Sequence, residues 1–179
     1  MTIEKTRAHI ASSVWRAIAQ SGVDLSTLPL DQQNKLVESV TNSLMVEVDE
    51  MLGELAQPES KTAPEVELEG DERIVWQGRP FLSLVESYII TSERIKITKG
   101  LFGREIENFE LIRLQDIDFS QNLGERMLGI GDVVIKGHDP SDPSIMLRNV
   151  KEPEQVYEIL RRAWLEARKR YGLTFQEEM

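Results

Sequence analysis

The chain has 179 residues and a mass of 20.5 kDa, with 40% hydrophobic and 29% charged residues, which excludes both a large multidomain machine and a disordered chain. Its 21 Lys and Arg against 31 Asp and Glu give a net charge of -10, so long-range attraction to nucleic acid or to an anionic bilayer is opposed and no nucleic-acid partner is expected. Cysteine is absent, which removes disulfides, thiolate metal sites and a cysteine nucleophile. The start MTIEKTRAHIASS has no apolar signal region, and no run approaches the roughly 18 apolar residues of a spanning helix; a cytoplasmic protein is expected.

In chain order, the first helix is expected from just after Thr2, which caps it, to Ser21, where Gly22 stops it; Ile3, Ile10, Val14, Ala17 and Ile18 share a face. A second helix runs from near Pro29 and Asp31 to Ala56, ahead of Pro58. Its apolar residues Val37, Val40, Leu44, Val48, Met51 and Leu55 form a stripe with the period of a straight helix, so a long left-handed coiled coil is not expected. Two helices cannot enclose a core alone, and the stripe is therefore expected to be an assembly face, on the following domain or on a second chain. The stretch from Gln57 to Gly70, QPESKTAPEVELEG, reads as a linker between a helical hairpin at 1–57 and a barrel at 71–179. Acid is concentrated before the boundary: residues 1–70 carry 5 basic and 12 acidic groups, residues 71–179 carry 16 and 19.

Seven strands follow, marked by alternating apolar residues and by turn chemistry. They are expected at Glu72–Arg79, Leu82–Thr91, Arg94–Lys99, Glu105–Leu111, Leu114–Gln121, Asp132–Lys136 and Ser144–Val150. Gly124, Gly129 and Gly131 lie before the sixth and suggest a hairpin turn; they lead into a strand, not a helix, so they lack the usual reason for a phosphate cradle. Pro153 opens a last helix to about Tyr171, with Val156, Tyr157, Ile159, Leu160, Ala163, Trp164 and Ala167 on a broad face. The fold class is α+β: a helical hairpin, then a small antiparallel sheet that curls on itself and is covered by a helix.

From Arg73 to Leu160 the chain resembles a bacterial pleckstrin-homology domain, through VWQGRP, YIITSERIKITKGLFGREIENFELIRLQDID, GERMLGIGDVVIKG and a final strand leading into KEPEQVYEIL. The resemblance covers about half the chain and leaves out the two N-terminal helices. It implies a partly open seven-stranded barrel capped by a helix, and a binding or assembly role. Relatives of that kind often carry transmembrane helices, which this sequence does not offer.

Chemistry is sparse. His9 and His138 stand far apart without a ligand pattern, Asp139 and Asp142 suit a proline-bracketed turn better than calcium, and Asp116 and Asp118 share an exposed strand face. No nucleophile, base and orienting group can be named together, so no enzyme, cofactor or metal is expected. The candidate interaction surface is a hairpin tip, Leu101 and Phe102 between glycines, flanked by Lys96, Lys99 and Arg104, with Arg126 as a further cation. The expectation is a noncatalytic binding or scaffolding protein that self-associates and recognises a protein partner. The rival is a peripheral module whose cations meet anionic lipid head groups.

Overall fold

The computed structural model describes residues 3–56, 68, 70–100, 105–137 and 144–172, and of Leu55 and Ala56 the backbone alone. It divides into two compact units, Met1–Leu55 and Ala56–Met179.

The first unit is a pair of helices, α1 (Ile3–Ser21) and α2 (Leu30–Ala56). Gly22, at φ +73°, takes the left-handed conformation that ends α1 cheaply. The connection is held by side chains: Asp24 accepts the Ser26 backbone N–H at 2.8 Å, and Gln33 donates to the carbonyls of Leu25 and Leu28. Hydrogen bonds from Ser26 hold the Asp24 carboxyl below its usual pKa. Arg7 on α1 pairs with Glu38 on α2 at 2.6 Å. No residue of α1 is fully buried; Ile3, Ile10, Val14 and Ile18 are half-buried, whereas Ala17 is exposed.

On α2 the expected stripe splits. Val37 is buried, but the buried row continues through Thr41, Met45 and Asp49, while Val40, Leu44, Val48 and Met51 are exposed. Four residues advance a helix by about 40° beyond a full turn, so a buried row stepping by four drifts around the helix and leaves its apolar neighbours outside. Thr41 meets the cost of its burial by donating to the Val37 carbonyl at 2.7 Å.

The second unit contains seven strands: β1 (Ile74–Gly78), β2 (Glu86–Thr91), β3 (Arg94–Lys99), β4 (Glu105–Glu110), β5 (Leu114–Ser120), β6 (Ile130–Gly137) and β7 (Ser144–Lys151). They form two antiparallel sheets, β1-β2-β3-β4 and β5-β6-β7, which do not close on each other. A 3-10 turn at Leu111–Arg113 carries the chain between them. Helix α4 (Pro153–Arg170) buries Val156, Leu160, Ala163 and Ala167 in the core that Tyr88, Ile90, Ile95 and Ile97 from one sheet share with Ile117, Val133, Ile135 and Leu147 from the other. Tyr157 and Trp164 pack half-buried against that core. Tyr88 crosses it, and its hydroxyl accepts the Arg148 backbone N–H at 3.1 Å. Burial pushes the Tyr88 phenol well above its ordinary pKa.

Two details differ from the sequence expectation. The second strand starts at Glu86, not Leu82, because Pro80 and Phe81 turn inward and are buried, Leu82 takes φ +57°, and Ser83 N–H closes a turn onto the Pro80 carbonyl. Between β5 and β6 the chain forms a short helix, α3 (Leu123–Met127), capped reciprocally by Asn122 and Glu125, in place of a bare hairpin turn. Gly131 is needed there for close approach: a Cβ would lie 2.6 Å from the Ser120 carbonyl and 2.9 Å from Pro153.

Candidate functional site

Two surfaces of the second unit carry concentrated chemistry. The first is a cleft of about 490 Å³ lined by Asp71, Glu72, Glu93, Arg94, Glu110, Ile112 and Tyr171. Its acids are largely committed within the fold. Glu72 is buried; its carboxylate accepts Arg94 Nε and Nη2 at 3.0 and 2.8 Å and the Thr91 hydroxyl at 2.6 Å. This ties the entry to β1 onto the β2–β3 turn. Glu93 accepts Arg170 and, at 3.1 Å, the Tyr171 hydroxyl, latching the end of α4 to the same turn. The Glu93 hydrogen bond holds the Tyr171 phenol above its ordinary pKa. Glu110 pairs with Arg113 at 3.0 Å. The cleft is thus a structural junction rather than a set of free groups.

The second surface is a loop end. The β1–β2 loop exposes Leu84 and Val85, and the Val85 carbonyl accepts the Gly100 N–H at 2.7 Å. That bond sets the loop beside the root of the β3–β4 hairpin, where Ile106 is also exposed. Leu101, Phe102 and Arg104, the expected tip, lie outside the described residues. Lys99 is not a free cation: it pairs with Glu107 at 2.8 Å and stands in register between Glu86 and Glu105. The Glu107 hydrogen bond holds its ammonium above the ordinary lysine pKa. Lys96 lies half-buried between Ile89 and Asn108, and Arg126 is exposed on α3, in the connection of the other sheet. The described cations that the sequence reading grouped are therefore spread over two sheets, and one is neutralised by acid.

Residues 76–164 match the family model of the bacterial PH domain. This segment is a bacterial PH domain. No curated protein matches the chain. The match begins in β1 and ends within α4, so it takes in both sheets of the PH domain and leaves out the helical pair. Domains of this kind are binding modules in general terms, and fold alone does not name a ligand.

Other sequence candidates find plain structural places. Asp116 and Asp118 do share a face of the PH domain, and Lys136 bridges them at 2.9 and 2.7 Å; the Lys136 hydrogen bond lowers the Asp116 pKa. His9 is exposed on α1, while His138, Asp139 and Asp142 lie outside the described residues. No group of three or more metal-ligating side chains occurs among the described residues, and no described helix is long and apolar enough to cross a membrane. Of the candidate assembly face, Val40, Leu44, Val48 and Met51 are exposed, Val37 is buried, and the Leu55 side chain is outside the described residues.

Leu84 and Val85 were missed because LSLVES reads as the start of a strand. Pro80 two residues before Leu82 was the available signal of a turn. The Glu72–Arg94 pair links residues 22 apart, and only the strand register brings them together.

Proposed function

We propose that this protein is a noncatalytic binding protein: its PH domain offers a preformed loop end to a protein partner, and its helical pair brings chains together. The observation that carries the partner reading is the Gly100–Val85 hydrogen bond, which draws exposed Leu84 and Val85 to the root of the β3–β4 hairpin. Glu86, Glu105 and Glu107 stand around Lys99 at this end. An apolar centre with an acidic rim suits a protein surface that carries apolar anchors and basic neighbours. The same rim works against the rival reading, docking on anionic lipid head groups, because Lys99, a described cation at this end, is already compensated by Glu107.

Proximity labelling in cells, comparing the intact protein with a Leu84→Ser, Val85→Ser variant, tests this reading. Loss of a reproducible set of labelled proteins from the variant supports it. Sedimentation of the purified protein with vesicles containing phosphatidylserine, abolished in the same variant, would replace it with the lipid reading.

A further inference from the structure

Helix α2 ends in exposed acid and helix α4 ends in exposed base. On α2, Glu47, Glu50 and Glu54 are exposed, and their spacing of three and four residues puts them on one side of the helix. The charges of the N-terminal half are compensated within the helical pair: Lys35, the only basic residue of α2, pairs with Asp31, and Glu38 pairs with Arg7. Asp49 is buried. Glu54 lies in the last turn, where the negative end of the helix dipole disfavours an acid and no basic residue stands to offset it.

On α4, Arg161, Arg162 and Lys169 are exposed and surround half-buried Leu165, on the side opposite the buried Val156, Leu160, Ala163 and Ala167. The neighbouring charges are placed elsewhere. Glu166 pairs with Arg73, Arg170 with Glu93, and the Arg168 guanidinium lies over the Trp164 ring. Glu154 and half-buried Glu158 stand on the preceding turns of the outer side, so the basic stretch is confined to the C-terminal half of α4. The three acids of α2 and the three bases of α4 make no ion pair among the described residues.

From this we infer that the acidic stripe of α2 docks on the basic stripe of α4 in a second copy of this chain. Each copy gives one helix and receives the other's, so a two-fold axis forms two equal contacts. The inference rests on the self-association half of the reading above and gives it two named surfaces. Copies with a net charge of -10 repel at long range, so a contact between them has to bring unlike charge together locally. Acids without a base on one helix and bases without an acid on another meet that need. Exposed ion pairs contribute little alone; exposed Met51, between Glu47 and Glu54, and Leu165, among the bases, add apolar surface that the contact takes out of water.

Two charge reversals in the full-length protein test this. Glu47→Lys, Glu50→Lys, Glu54→Lys makes both stripes basic, and Arg161→Glu, Arg162→Glu, Lys169→Glu makes both acidic. All six positions are exposed, so each variant should keep the helicity and cooperative unfolding of the parent. Light scattering at physiological ionic strength should give twice the chain mass for the parent and the single chain mass for each variant alone. An equimolar mixture of the two variants should recover the doubled mass, because every stripe then finds an unlike one on the other chain. The first variant is less charged overall than the parent, so general repulsion cannot account for its dissociation. A parent of twice the mass that either reversal leaves undissociated would overturn this contact while leaving self-association standing. Dissociation by both reversals without recovery in the mixture would overturn the pairing of the two stripes between copies. A monomeric parent at hundreds of micromolar would overturn the contact and self-association together.

Discussion

The two units of this chain are built on opposite terms. The PH domain encloses a core in which residues from both sheets and from α4 are buried together, and the buried polar residues Glu72 and Thr91 are satisfied by partners within the domain. The helical pair has no fully buried residue on α1, a buried row on α2 in which Thr41 and Asp49 alternate with Val37 and Met45, and an apolar ridge facing outward. The lesson is that secondary structure with the right period does not guarantee a closed core. The same kind of apolar stripe that ends inside the sheet sandwich on α4 remains outside on α2.

This contrast can be broken at its stronger side first. Leu160→Ala removes a fully buried side chain from α4 and should cost about 2–5 kcal/mol, whereas Leu44→Ala on α2 should change unfolding at micromolar concentration by no more than about 0.5 kcal/mol; chemical denaturation of both variants checks it. Arg94→Met leaves the Glu72 carboxylate buried without its bidentate partner and should cost about 3 kcal/mol, measured in the same way. Tyr88→Phe removes the acceptor for the Arg148 N–H inside the core, with an expected loss of about 1–3 kcal/mol.

The smallest effect is electrostatic and lies on the surface. Lys136 holds the Asp116 carboxyl below its usual pKa, so whatever this pair contributes is present above the ordinary carboxylate range and fades as pH falls through the lowered folded value. Lys136→Met should move the Asp116 titration upward, as followed by NMR of the carboxyl carbon, with little change in stability because both groups are exposed. An unmoved titration would contradict the assigned cause.

How much of this was legible in the sequence depended on whether a signal was local. Strand β3 was placed to the residue because Ser92-Glu93 and Lys99-Gly100 bracket a run of alternating isoleucines. Helix α4 was read from Pro153 and its apolar period. Helix α3 was hidden by its glycine and its length, although Asn122 and Glu125, three apart, spell the capping box that starts it. On α2 the apolar period was visible, but which of two adjacent rows would be covered was not, since Thr41 and Asp49 sit in the buried one. Lys96 and Lys99 share β3 while Arg126 lies in the other sheet's connection, and the cross-strand register that places Glu86 and Glu105 opposite Lys99 is nonlocal and so was not legible in the sequence.

Under the proposed reading, the PH domain folds on its own and the helical pair joins chains. The most direct test of that reading is the molar mass by light scattering of the intact chain beside a chain beginning at Gly70, with thermal unfolding of each. The expected result is a cooperatively unfolding monomer for the shortened chain and twice the subunit mass for the intact one. Equal subunit numbers, or a shortened chain without a cooperative transition, would contradict it.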